Sequence, residues 1–150
     1  MLLQFVVGVL VSAINIGIHA LATVVAVWIA RHAGSWRPDS PKLNLMGVMI
    51  ASAAVLQVAH TLEVMVWTLT YGVIGAAAPE SELLYFAFVN YTTLGYGDIT
   101  PLREWRLIGP LTAMNGVLLF GWSAAILFEV LRKTLDQIEA GERPSVQRNA

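Results

Sequence analysis

Residues 92–98 read Thr92-Thr93-Leu94-Gly95-Tyr96-Gly97-Asp98, and the stretch lies between two long apolar segments. Two glycines around a tyrosine, behind a pair of threonines, suit a backbone extended so that successive carbonyls face one way into a narrow passage. Glycine tolerates the left-handed φ values that such a backbone needs. Four copies around an axis would make rings of oxygen able to replace the water around a dehydrated potassium ion. Nothing in the chain repeats internally, so one chain supplies one strand of such a ring and four chains are needed.

Outward from this stretch the chain is a membrane protein by composition. Of its 150 residues 57% are hydrophobic and 13% charged, with a mean hydropathy of +0.66, too apolar for a soluble domain of this size. Three segments, residues 2–30, 43–78 and 107–131, exceed the roughly 20 apolar residues needed to cross a bilayer. Residues 81–92 are too few to cross, are rich in aromatics and run straight into the glycine stretch. A short helix followed by extended backbone is a re-entrant element, tolerated in a membrane when enclosed by protein. The first segment is expected to stay as a transmembrane helix. No Lys or Arg precedes Arg31, and the apolar run is longer than the core of a cleaved secretory signal. There is no cysteine, which excludes disulfides and thiolate metal sites. The net charge of -1 gives no reason to expect nucleic acid.

Charge asymmetry sets an expected orientation. Arg31, Arg37 and Lys42 stand against Asp39 between the first two spans, and Arg132 and Lys133 follow the third. Glu80, Glu82, Asp98 and Glu104 outnumber Arg103 and Arg106 between the second and third. The positive-inside rule then puts the linker and the C-terminus in the cytoplasm and the N-terminus outside. Trp28 and Trp36 near the inner interface, and Tyr71 and Trp105 near the outer one, are expected to be membrane anchors.

The stretch 92–98, the aromatic short helix before it, and Trp105 followed by Gly116-x-x-x-Phe120-Gly121 together resemble the pore domain of the potassium channel family, over about residues 83–128. The type is a small prokaryotic one with an extra N-terminal span. The resemblance implies an outward-facing selectivity filter with potassium held by the carbonyls of Thr93, Leu94, Gly95 and Tyr96 and by the Thr93 hydroxyl, with Gly97 completing the strand. Leu94 stands where the family most often has valine. Tyr85 and Phe86 stand where many members have two tryptophans, and Val89 where some have a glutamate bonded to the filter aspartate. The support behind the filter, assigned to Tyr85, Phe86, Val89 and Thr92, must therefore differ from both patterns. Asp98 at the mouth would draw cations, and the C-terminal end of the short helix points its negative dipole at the pore. Gly116 lies one residue off the place of the family's inner-helix hinge. Gly116 is read either as a hinge or as a close-packing position, and Gly121 as a second hinge candidate. Asn115 is read as facing the cavity or bridging to a neighbour.

Two polar stripes remain. At about 100° per residue Gln4, Gly8, Ser12, Asn15, His19 and Thr23 share one face of the first span. Gln57, His60, Thr61, Trp67, Thr68 and Tyr71 share a side of the second, with Glu63 at its edge. Lipid cannot satisfy such groups, so they pack on protein. Counting about 1.5 Å per residue puts Asn15 level with His60, His19 a turn toward the cytoplasm and Glu63 a turn outward. Contact between these faces is expected, with Glu63 bracing the filter near residues 90–92. The cluster Asn15, His19, His60 and Glu63 is read as a structural network, a proton-sensitive gate or a metal site.

A regular array of Arg or Lys within a span is absent, as are a catalytic triad and a phosphate loop, so neither a voltage sensor nor an enzyme is expected. The whole reads as an all-α integral membrane protein. An N-terminal span (residues 1–31) and a cytoplasmic linker (32–42) precede a pore domain (43–131). This comprises an outer helix (43–78), a re-entrant pore helix (81–92), a filter (93–98) and an inner helix (107–131). Residues 132–150 form a short cytoplasmic tail, whose first part can extend the inner helix until Gly141 and Pro144 end it. The expected function is passive potassium permeation across the cell membrane by a homotetramer, with potassium ions in the filter, no organic cofactor, and membrane lipids as the other partner. The alternatives are a weakly selective cation channel and a non-conducting sensor or accessory subunit.

Overall fold

A computed structural model describes residues 1–32 and 40–142. Trp36, Arg37, Asp39 and Pro144 lie outside the described residues. The described chain holds helix α1 (Leu2–His32), helix α2 (Pro41–Ile74), helix α3 (Leu83–Tyr91), a 3₁₀ turn at Arg103–Trp105 and helix α4 (Ile108–Glu142). It holds no strand among those residues. Three of these helices are long and apolar enough to cross a membrane.

Each boundary has a local cause. Pro41 begins α2, where its missing N–H would have no helical partner in any case. Gly75 ends α2 in the left-handed region at φ 61, four residues earlier than the expected outer helix of 43–78 allows. The expectation counted Ala76 and Ala77 as span because they are apolar. They are instead loop residues buried in the core, and Ala76 O accepts the N–H of Leu102 at 2.8 Å. The short helix spans nine residues, narrower than the expected 81–92. Helix α4 runs past residue 131 to Glu142, so the first part of the expected tail does extend it. Arg132 and Lys133, read as the start of a tail, both pair with Glu129 across one helical turn, which suits continued helix.

The long helices pack on one another and cradle α3. Gln4 in the first turn of α1 accepts the Leu107 N–H through Oε1 at 2.9 Å, tying the start of α4 to the start of the chain. The core nearest the 92–98 stretch joins Val11, Val64, Trp67, Phe86, Tyr91 and Ile108. Leu2, Val9, Leu21, Val24, Leu69 and Val73, by contrast, are exposed. So much apolar surface facing outward is what lipid accommodates and water does not.

The stripe on α1 is buried much as its period implies: Gln4, Gly8, Asn15 and His19 all face protein. On α2 the face differs. Ser52, Leu56, His60, Glu63, Trp67 and Tyr71 are buried, while Gln57 and Thr61 are exposed. Glu63 is therefore central and not at the edge. The long apolar Leu56 and Val64 pack inward because the buried face follows contact with two neighbouring helices, a wider target than a polar stripe. Tyr71 is no interfacial anchor: it is fully buried and bonds Thr112 Oγ1 at 2.6 Å. Trp28 is exposed, and Trp105 is partly buried against the core.

Candidate functional site

The 92–98 stretch leaves the C-terminus of α3 through a specific helix stop. Thr93 N–H donates to Asn90 O at 3.1 Å and Leu94 N–H to Val89 O at 3.0 Å. These are the two bonds of a Schellman motif, which satisfies the last carbonyls of a helix by turning one residue left-handed. That residue is Thr93, at φ 63. Glycine is usual here, and a β-branched residue is a real outlier. Left-handed φ costs an L-residue about 1–2 kcal/mol. Positive φ then recurs at every second position, Gly95 at 59 and Gly97 at 80. Thr92 Oγ1 donates back to Phe88 O at 2.7 Å. The side chains of residues 92–98 are exposed in the single chain.

Behind the stretch the packing is aromatic and small. Phe86 and Val89 are buried, with the Phe86 ring 5.0 Å from that of Tyr71. Tyr85 Oη donates to Asp98 Oδ2 at 2.7 Å. That bond, in the first place, holds the Asp98 carboxyl below the usual carboxylate range, because the hydrogen bond favours the ionised form. Neither a tryptophan nor a carboxylate of α3 reaches Asp98. The tyrosine hydroxyl spans the gap.

Gly116 touches α3 directly. A Cβ built there would lie 2.0 Å from Tyr91 O, so α4 can reach the end of α3 only because this residue is glycine. Close packing accounts for Gly116. At Gly121 a Cβ would meet nothing within 4 Å, so space does not require glycine there. Asn115 bridges within the chain: its Oδ1 accepts from Asn15 Nδ2 at 2.9 Å and from Trp67 Nε1 at 3.1 Å.

A second group of polar side chains sits inside the bundle. His19 Nδ1 lies 2.9 Å from Glu63 Oε1, and His60 Nδ1 lies 3.0 Å from Glu63 Oε2. Tyr91 Oη donates to Glu63 Oε2, which ties the last residue of α3 to α2. Asn15 Nδ2 reaches the Glu63 carbonyl at 3.3 Å. The structure thus brings Asn15, His19, His60 and Glu63 together, but in a different register. His19 lies beside His60, with ring centroids 5.2 Å apart, and Asn15 is the residue level with the Glu63 backbone. Uniform counting from the helix ends misses this because it ignores how far each helix extends beyond the bilayer. The ligand atoms of His19, His60 and Glu63 all lie within 4.8 Å of one another.

Tyr91, bonded to Glu63, falls within residues 90–92, where Glu63 is expected to brace the chain, whereas Ser123 carries no expectation from the sequence. Ser123 Oγ lies 2.9 Å from His60 Nε2 and 3.3 Å from His19 Nε2. A signal was present: at about 100° per residue Thr112, Asn115 and Ser123 share one face of α4.

Residues 47–133 match the model of an ion channel family of the two-transmembrane, potassium-channel-like type. The match covers more than half of the chain, which belongs to that family. No curated protein and no solved structure matches the chain significantly. Three helices long and apolar enough to cross a membrane and membership of this family point to a multi-pass membrane protein of the transport kind.

Proposed function

We propose that the chain is a potassium-selective channel, assembled as a homotetramer in the cell membrane with its N-terminus outside and its C-terminus in the cytoplasm. The observation that carries this reading is the run of left-handed residues Thr93, Gly95 and Gly97 directly after α3. Alternating left-handed with ordinary backbone turns successive carbonyls to one side of a strand. In four copies the carbonyls of Thr93, Leu94, Gly95 and Tyr96, with the Thr93 hydroxyl, would replace the hydration shell of a potassium ion, and repulsion between neighbouring ions would keep binding weak enough for exit. Leu94 and Tyr96 are 56% and 68% exposed in one chain, which fits side chains that other subunits cover. In this arrangement α3 is the re-entrant pore helix, its negative end aimed at the ions, and ionised Asp98 concentrates cations at the mouth.

The test is ion flux from liposomes holding the purified protein, with sodium and an external blocking cation as controls. Potassium flux without sodium flux is the expected result. Equal flux of both ions would replace selectivity with a relaxed filter, and Leu94→Val should then restore discrimination. A well-folded tetramer with no flux at any pH would point to a pore-shaped sensor or accessory subunit.

A further inference from the structure

Four buried side chains close into a hydrogen-bonded ring, His19 of α1, His60 and Glu63 of α2 and Ser123 of α4, and buried Tyr91 of α3 joins it at Glu63 and His60. The ring has four links that each need one proton. They are His19 Nδ1 to Glu63 Oε1 at 2.9 Å, His60 Nδ1 to Glu63 Oε2 at 3.0 Å, His60 Nε2 to Ser123 Oγ at 2.9 Å and His19 Nε2 to Ser123 Oγ at 3.3 Å. Two neutral imidazoles bring two protons, the serine hydroxyl brings one and a carboxylate brings none. Three protons therefore face four links. Tyr91 Oη also lies 2.9 Å from His60 Nδ1, but it brings one proton, which its contact with Glu63 Oε2 uses, and turning that proton to His60 would still leave Nδ1 and Oε2 without a proton between them. With three protons, one imidazole nitrogen would meet Ser123 Oγ or a Glu63 oxygen lone pair to lone pair, an unsatisfied buried contact.

The charge count asks for the same proton. A carboxylate beside two neutral histidines leaves a net negative charge inside the bundle, where Glu63 and His19 are fully buried, and an unpaired charge there is costly. One further proton makes the ring neutral and completes every link at once. Among the described residues no Lys or Arg is bonded to the ring to compensate instead. The nearest rings of α4 favour a cation: Trp122 lies 5.4 Å from the His19 ring and Phe120 4.6 Å from the His60 ring, within reach of a cation–π attraction.

We propose that this ring is a proton-binding site that holds one proton shared by His19 and His60, and that the bound proton fastens the end of α3 to the three long helices. Tyr91 is the last residue of α3 and is followed directly by the 92–98 stretch, so the proton supports that stretch from behind through Glu63. A metal ion suits the ring less well. The imidazole nitrogens stand 2.9 and 3.0 Å from the Glu63 oxygens, hydrogen-bond lengths shorter than the roughly 3.4 Å between ligands of a four-coordinate ion, and each imidazole nitrogen already has a partner at hydrogen-bond length.

The experiment is nitrogen-15 NMR of histidine-labelled protein in lipid at neutral pH. A His32→Gln background leaves only the two buried histidines in view. Three of their four ring nitrogens are expected to carry protons, with no change on adding a chelator. In Glu63→Gln, which removes the negative charge, the count is expected to fall to two. In Tyr91→Phe, which deletes a link bringing its own proton, it should stay at three. Two protonated nitrogens in the native chain would overturn the proposal, as would an imidazolium that survives Glu63→Gln. Signals that move on chelation would put a metal in its place. The measurement reads no flux, so it stands or falls separately from potassium conduction.

Discussion

Helices α2 and α3 end in the same way with different residues. At the end of α2, Gly75 turns left-handed at φ 61, its N–H reaches Gly72 O at 3.4 Å and Ala76 N–H reaches Tyr71 O at 3.0 Å. At the end of α3, Thr93 adopts φ 63 with the equivalent pair of bonds to Asn90 O and Val89 O. One stop obeys the rule that the left-handed position takes glycine, and the other breaks it with a β-branched residue. The first belongs to the scaffold, where the cheapest residue suffices. The second begins the stretch read as the filter, where a glycine would relieve strain and remove the only hydroxyl at that place. Strain kept at one site and avoided at its twin marks the site where something other than stability chose the residue.

The comparison can be broken most severely at Gly116. Adding a methyl group there drives Cβ into the Tyr91 carbonyl, and neither backbone can yield without moving a helix. Gly116→Ala is expected to cost about 3 kcal/mol, the upper end for overpacking, seen as a large fall in thermal midpoint in detergent together with lost flux. Gly121→Ala is the counterpart, expected to gain up to about 1 kcal/mol because alanine favours helix and nothing obstructs it. If Gly121→Ala abolished flux while leaving stability intact, Gly121 would be a hinge.

Exchanging the two stops sharpens the contrast. Gly75→Thr should destabilise by about 1–2 kcal/mol. Thr93→Gly should stabilise by about 1 kcal/mol, less than the strain alone, because glycine also loosens the unfolded chain. Chemical unfolding without potassium is the measurement, so that no bound ion offsets the difference. Thr93→Gly should nevertheless lower potassium flux, since the hydroxyl is gone. Equal and same-signed shifts for the two variants would end the argument from strain.

The smallest effect is at the mouth. The Tyr85 hydrogen bond holds Asp98 below its ordinary value of 3.8. A carboxyl lowered on folding adds stability above that ordinary value, and the contribution fades as the pH falls through the lower folded one. Ionised Asp98 should therefore persist in acid until below pH 3.8, as followed by carboxyl carbon NMR. Tyr85→Phe should move the titration upward toward the ordinary value with little change in overall stability, because the pair is exposed.

Much of this protein was legible from the chain alone, for reasons that act locally. Spans are readable because lipid demands about 20 apolar residues in a row. The stripe of Gln4, Gly8, Asn15 and His19 is readable because a helix repeats every 3.6 residues and a polar group in a membrane must find protein. The sequence Gly-Tyr-Gly at 95–97 announces left-handed backbone, since glycine is the residue that adopts it freely. What the chain alone left open depends on distance through space. The register that sets His19 beside His60, the buried place of Tyr71, the bond from Tyr85 to Asp98 and the contact of Gly116 with Tyr91 O each join residues far apart in sequence. So does the meeting of His19 and Ser123, 104 positions apart. Helical periodicity states which side of a helix is polar. Only the packing of one helix against another decides which polar group it meets, because the depth and rotation of a helix are set by the fit of its neighbours.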